Sequence, residues 1–161
     1  MKLKLFFSIL SATIFFSSCS PINIEQQVQQ LIEENDIEKR KDIAYALADS
    51  LDTKASKLLL DYHSSSNSKK YLAENALENM LKRYSESTNK KLDKCISFIT
   101  DPNTQHSISD KEKINYIVNG LMIKNSSTGF QKSLAKSAKK HGTYGITEII
   151  KKWNENKSSK T

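Results

Sequence analysis

Apolar residues recur at intervals of three and four from Ile24 onward, with almost no sustained alternation. That spacing puts them on one face of an α-helix and is typical of amphipathic helices. The broadest stripe runs from Tyr71 to Tyr84, and short polar segments separate it from its neighbours. The pattern predicts an all-α fold, a compact helical bundle of about six or seven short helices. Its last stripe consists of Ile146, Ile149, Ile150 and Trp153.

Several residues mark where these helices begin and end. Ser109, with Glu112 three residues later, forms a capping box that predicts a helix start. Asn35 is predicted to cap an earlier helix. Gly142 is a typical stop after a helix, and Thr143 is predicted to cap the last one. Gly120 falls inside a predicted helix, where glycine indicates either a close helix approach or a kink.

The first residues have the composition of an export signal rather than of a folded domain. Lys2 and Lys4 precede an apolar run from Leu5 to Phe16, and two small serines follow it. A helix of that length spans about 18 Å, which is too short to cross a bilayer comfortably. Residues 1–18 are therefore predicted to be a signal peptide. A buried N-terminal helix is the alternative, and the lysine flank and small-residue exit argue against it.

The end of this signal, Phe16-Ser17-Ser18-Cys19, resembles a bacterial lipobox. In a lipobox the cysteine thiol is acylated, and cleavage leaves that cysteine as the new N-terminus. Phe16 stands where leucine is usual. The resemblance implies acyl chains such as palmitate on Cys19, and two or more chains hold a protein stably at a membrane. The alternative is an ordinary cleaved signal in which Cys19 is incidental.

The mature chain divides into a short tether, one domain and a tail. Residues 19–23 are predicted to be the acylated cysteine and its tether, residues 24–156 a single helical domain, and residues 157–161 a frayed basic tail. The four residues after Cys19 span at most about 14 Å. The domain is therefore expected to lie close to the membrane surface.

Charge is distributed unevenly along the chain. The sequence carries 25 basic and 18 acidic residues, a formal net charge of +7. From Lys113 to the C-terminus there are 10 lysines and only two acids, a net charge of +8. An exported protein rarely meets chromosomal DNA, so we expect no nucleic-acid partner despite this surplus.

Four of these lysines share one face of a predicted helix. They lie within about a 100° sector, opposite the apolar residues of the same segment; they are Lys132, Lys136, Lys139 and Lys140. One interpretation is a solvated surface that keeps the protein soluble. The other is a site for an anionic partner: a sulfated glycan, an acidic protein patch or anionic lipid headgroups. Because lysines are point charges without the fork of arginine, such binding is expected to be diffuse and salt-sensitive.

The sequence gives little support for catalysis, a cofactor or a metal. His63, His106 and His141 are scattered over separate elements, without the spacing of a metal site. His63 and His106 lie beside polar turns and are predicted to be exposed, whereas His141 is predicted to interact with the end of a helix. Cys95 lies on an apolar stripe and is predicted to be inert core.

The carboxylates give no catalytic pattern either. Glu74 and Glu78 are interpreted as helix-surface groups, with Lys82 placed to pair with Glu78. No glycine-rich phosphate loop or nucleophile elbow occurs. We therefore predict a protein that is not an enzyme, with no catalytic residues.

Taken together, the loose lipobox, the short tether, the helical body rich in Lys, Asn and Ser, and the single Trp resemble plasmid-encoded surface lipoproteins of Borrelia. Size and layout are most similar to the orf-D lipoprotein family. Only Phe16 to Cys19 is a discrete motif, and it specifies lipidation rather than an activity. The resemblance implies an outer-membrane lipoprotein, displayed at the cell surface and in contact with host molecules.

Two classes of function remain open on the sequence. The leading hypothesis is a non-catalytic binding module on the cell surface that recognises a host protein or an anionic glycan. The second is an accessory or structural envelope lipoprotein that faces the periplasm. A helical bundle fits either class, so the fold alone does not decide between them.

Overall fold

The computed structural model describes residues 23–64, 68–104 and 108–158. Within these ranges the chain forms eight α-helices and no strand, which confirms the predicted all-α fold. The predicted signal peptide, Cys19 and most of the tether lie outside the described residues. The helices are α1 (Ile24–Glu33), α2 (Ile37–Asp49), α3 (Thr53–Ser64), α4 (Lys70–Glu86), α5 (Leu92–Thr100), α6 (Asp110–Leu121), α7 (Thr128–Lys140) and α8 (Gly142–Ser158).

The number of helices slightly exceeds the six or seven predicted, because some breaks carry little sequence signal. The break between α2 and α3 contains neither glycine nor proline. There Leu51 adopts a left-handed conformation with φ of 50°, which costs a non-glycine residue about 1–2 kcal/mol. Asp52 helps to start α3, since its Oδ1 accepts a hydrogen bond from the backbone N–H of Lys54 at 2.8 Å. Between α7 and α8 only His141 intervenes.

Of the three predicted helix caps, one is confirmed and two are wrong. The capping box of α6 is present: Ser109 Oγ accepts from Glu112 N, and Glu112 Oε2 accepts from Ser109 N at 2.8 Å. The cap of α2 is Asp36 rather than Asn35, because Asp36 Oδ1 reaches two free backbone N–H groups of the first turn. Thr143 does not cap α8, which already begins at Gly142.

The helices pack in two connected groups. Helix α4 packs on α2 and α3, and α1 also packs on α2 and α3. In the second half of the chain α5 packs on α7, and α6, α7 and α8 pack against one another. Every buried apolar residue of both core clusters lies between Ile24 and Ile149. A chain that starts at Ser20 therefore contains every core residue that the structure describes, and it is long enough to bury a core of its own.

Gly120 lies where α6 and α7 approach closely. A Cβ atom at this position would lie 2.7 Å from Leu134 Cδ1 and 3.3 Å from Phe130 Cζ. Both of those side chains are fully buried in α7. Of the two explanations left open by the sequence, the close helix approach is the one observed.

Among the described residues, no helix has the length and hydropathy needed to cross a bilayer.

Candidate functional site

The start of α7 is fixed to the end of α4 by one serine. Ser127 Oγ accepts a hydrogen bond from Phe130 N at 3.2 Å and so caps α7. The same hydroxyl donates to Ser87 O at 2.9 Å, and Ser127 N donates to Ser85 O at 2.7 Å. Because both backbone and side chain take part, the helix that carries the four lysines begins at a defined place in the bundle.

The inner side of α7 is buried and fastened to α5. Phe130 and Leu134 are fully buried, and Ser137 lies beside them against the end of α5. A hydroxyl carries one hydrogen. Since Thr100 Oγ1 lies 2.8 Å from Ile96 O and donates to it, Ser137 donates to Thr100 across 2.9 Å. A short buried chain of hydrogen bonds thus joins the two helices.

The outer side of α7 carries the four predicted lysines, and all of them are exposed. Lys136 Nζ lies 2.9 Å from Asp93 Oδ2, and Lys140 pairs with Asp101. Lys132 and Lys139 have no ion-pair partner among the described residues. The face therefore combines two lysines with internal counterions and two whose charges are free.

Both acidic partners are held in the ionised form. The hydrogen bond from Lys136 holds the pKa of Asp93 below its usual value, and it raises the pKa of Lys136 in turn. Burial of Asp101 acts to raise its pKa, but Lys140 and the backbone N–H of Asn103 outweigh this and lower it. Both carboxylates therefore remain ionised at neutral pH.

Sequence reasoning missed both of these acids. Asp93 and Asp101 lie 43 and 39 residues from their lysine partners. No local pattern predicts pairs at that separation, because they depend on how α5 packs against α7. The only local indication is that both acids flank the apolar stripe of α5.

One lysine of the basic segment from Lys113 to the C-terminus does not reach the surface. Lys113 is buried, with Nζ 3.3 Å from the carbonyl oxygens of both Pro102 and Thr104 and 3.4 Å from Asp110 Oδ1. It donates into the turn that follows α5, so it acts as a structural clamp there.

The histidines are placed differently from one another. His141 follows α7 and lies at a helix end as predicted, although the helix is α5: His141 Nε2 is 2.8 Å from Thr100 O. A carbonyl only accepts, so Nε2 carries the proton in this contact. His63, predicted to be exposed, is instead buried. His106 lies outside the described residues.

The buried ring of His63 lies near one carboxylate of α4 and one of α6. Its Nε2 lies 4.0 Å from Glu74 Oε2, and its Nδ1 lies 3.8 Å from Glu112 Oε1. The serine run after His63 suggested that its side chain is exposed. That run does not indicate which helices pack near the ring. Two carboxylates beside one imidazole do not form a catalytic arrangement at these distances, which exceed hydrogen-bond range.

Cys95 is buried, as predicted for a core residue. Burial raises the pKa of its thiol, an effect only partly opposed by the neighbouring Tyr84 hydroxyl. A raised pKa disfavours the thiolate, which is the reactive form. This side chain is therefore poorly suited to act as a nucleophile.

An open groove of about 680 Å³ lies between α4 and the end of α6. Glu78, interpreted from the sequence as a surface group paired with Lys82, borders it and accepts a hydrogen bond from Asn119 Nδ2 at 3.0 Å. Burial and the nearby charge of Glu74 raise the pKa of Glu78. The lining of the groove carries both signs of charge, on Glu78, Lys82 and Lys124.

Helix α8 leaves most of its predicted apolar stripe outside the core. Ile149 is buried between α6 and α7, whereas Ile146, Ile150 and Trp153 are exposed. Among the described helices, α8 packs against α6 and α7.

Among the described residues, no group of three or more His, Cys, Asp or Glu side chains could hold a metal ion. No protein-family model, curated protein or solved structure matches this chain.

Proposed function

We propose that the protein is a non-catalytic lipoprotein of the outer membrane whose helical domain binds an anionic partner at the cell surface. The observation that carries this proposal is the exposed lysine face of α7, on which Lys132 and Lys139 have no counterion within the part of the chain that the structure describes. Acylation of Cys19 would keep the domain at the membrane. The lipobox-like run Phe16-Ser17-Ser18-Cys19 supports the anchor, and the surface location is part of the proposal.

The chemistry of the face favours a highly charged partner. Lysine ammonium groups are strongly hydrated point charges, so they suit a dense array of sulfates or an acidic protein patch better than one defined carboxylate. Exposed charges are screened at physiological ionic strength, with a Debye length of about 8 Å. Binding is therefore expected to weaken steeply as salt rises.

The side chains most suited to chemistry have structural roles, which supports a binding function. Cys95 is buried with a raised pKa, His141 bonds to a helix end, and Lys113 holds a turn. None of them borders the lysine face in a way that brings a nucleophile and a base together.

Retention on a sulfated-glycan column across a salt gradient tests the proposal. We expect the double variant Lys132→Gln/Lys139→Gln to elute at clearly lower salt than the native domain. Asp93→Asn should elute at higher salt, since it releases Lys136 from its counterion. Lys39→Gln, on the exposed face of α2, is the matched control and should behave as the native chain. Equal elution of all four proteins would refute the assignment to α7.

Location and lipidation need a separate experiment. On intact cells, protease should digest the protein while a periplasmic lipoprotein remains untouched, and Cys19→Ala should abolish incorporation of labelled palmitate. Protection from protease in intact cells would instead favour an accessory envelope lipoprotein that faces the periplasm.

A further inference from the structure

We propose that the partner of the lysine face of α7 also binds α5, and that this partner is a sulfated glycan chain lying across both helices. Three further lysines carry the inference: Lys90 and Lys91 in the turn before α5, and Lys94 within the helix. We call them the α5 lysines. The inference rests on the proposed function, since it extends the same binding surface and names its ligand.

The α5 lysines lie on the outer side of their helix. Around the axis of α5, Lys94 is at least about 100° from each buried residue of that helix. Lys90 and Lys91 precede it by about one helical turn, which puts them near the same side. All three side chains are exposed. They are therefore available to a ligand that approaches α5 from solvent.

The outer sides of α5 and α7 adjoin each other. The two helices pack together, and both also pack on α6. Asp93 pairs with Lys136, and farther along, Asp101 after the end of α5 pairs with Lys140, so the helices run in the same direction. Because Asp93 reaches the lysine face of α7, its neighbour Lys94 lies beside that face. The two groups of lysines thus form one surface.

Positive charge is concentrated on this surface itself. Residues 90–101 and 128–140 together carry seven lysines and two aspartates, a net charge of +5. All seven lysines are exposed, and the two aspartates pair with lysines of α7. The other five lysines have no ion-pair partner among the described residues; they are Lys90, Lys91, Lys94, Lys132 and Lys139.

The spacing of these charges fits a linear polyanion. Lys132 and Lys139 are seven residues apart on α7, which is about 10 Å along the helix axis. The α5 lysines add a second row on a helix whose axis is about 8–10 Å to the side. A single small anion is too small to contact both rows. A chain that carries many sulfates can contact both at once.

The lack of apolar side chains on this surface favours a glycan over lipid or protein. Among the described residues, none of the exposed large apolar side chains lies on α5 or α7. Helices that lie in a membrane interface bury an apolar face in it. Protein interfaces have an apolar core in which lysine is depleted. A sulfated glycan offers dense charge and requires no apolar contact.

Heparin of one chain length is a suitable probe, titrated by calorimetry at several salt concentrations into the full-length protein in a neutral detergent. Lys90→Gln/Lys94→Gln should weaken binding about fivefold. It should also lower the slope of log Kd against log salt concentration by about two, because each lysine in contact releases about one counterion from a linear polyanion. A purely structural role of these lysines would leave that slope unchanged.

Lys39→Gln/Lys82→Gln is the matched control. Both lysines are exposed on other helices, α2 and α4, and neither has an ion-pair partner among the described residues. The control removes the same net charge, so its affinity and its slope should stay close to those of the native chain. Far-UV circular dichroism checks that both double variants keep their helix content.

Three outcomes would overturn the proposal. Equal losses in the test and control variants would indicate an effect of net charge rather than a site. Native binding by Lys90→Gln/Lys94→Gln, with weaker binding by Lys132→Gln/Lys139→Gln, would confine the site to α7 and leave the proposed function standing. The third outcome requires protein reconstituted in vesicles of phosphatidylcholine and phosphatidylglycerol. If the native chain and the α5 variant bind heparin equally there, lipid headgroups rather than a glycan cover the α5 lysines.

Discussion

The buried hydrogen bonds between α5 and α7 allow a quantitative test of how the lysine-bearing helix is held. Ser137 donates to Thr100 Oγ1, and Thr100 donates to Ile96 O. Thr100→Val keeps the shape of the side chain but removes its acceptor, so the Ser137 hydroxyl is left buried without a partner. A buried unsatisfied donor costs about 1–3 kcal/mol, and we expect a loss of about 2 kcal/mol.

The reverse change should cost less. Ser137→Ala removes one hydrogen bond but orphans nothing, because Thr100 still donates to Ile96 O. We expect a loss of about 1 kcal/mol. The double variant Thr100→Val/Ser137→Ala has neither hydroxyl, so it leaves no buried polar group without a partner. Its free energy of unfolding should fall by about 2 kcal/mol, less than the sum of the two single losses, which is about 3 kcal/mol.

Urea denaturation followed by far-UV circular dichroism gives the three free energies of unfolding. Equal m-values are needed for the comparison, since a change would indicate a different unfolded or native state. Additivity within about 0.5 kcal/mol would refute the reasoning. It would mean that the Ser137 hydroxyl finds another acceptor when Thr100 is replaced.

Three further predictions follow from the backbone, the core and the charges. Gly142→Ala should destabilise the domain by about 1 kcal/mol because φ is 67° there. Gly129→Ala, with nothing within 4 Å of a new Cβ, should be neutral or slightly stabilising. Thermal melts compare the two variants, and equal losses would contradict the role given to the positive φ of Gly142. Cys95 should react with a thiol reagent only after denaturation, because it is buried with a raised pKa; fast labelling of the native domain would contradict this. Folding lowers the pKa values of Asp93 and Asp101, so the unfolded chain binds protons more readily than the folded domain. The free energy of unfolding should therefore stay constant above about pH 5 and fall as the pH drops through about 4. Asp101→Asn should flatten that fall in urea midpoints, and an unchanged profile would refute it.

Local patterns predicted the helices but not how they are arranged. The all-α class and the capping box at Ser109 follow from periodicity and from backbone groups within one turn, which a sequence displays directly. The break at Leu51 has no such signal, because leucine does not favour the left-handed region; in the structure its side chain packs, partly buried, against the core.

Only the lysines of the candidate site could be predicted from the sequence, and not their acidic partners. The lysine face of α7 follows from helical spacing, and all four side chains are exposed as expected. Their acidic partners could not be predicted, since Asp93 and Asp101 meet α7 only through the packing of α5. The exposure of Ile150 likewise depends on which helices cover α8, and the periodicity of apolar residues does not indicate this.

Asp93 of α5 and Asp101, the residue that follows this helix, compete within the molecule for the lysine face. A partner that engages Lys136 or Lys140 must first displace a carboxylate that is already in place. A sparsely charged ligand gains too little to do so and meets only Lys132 and Lys139. A densely charged one can recruit all four. The pairs would therefore act as a threshold that discriminates between ligands by charge density rather than by shape.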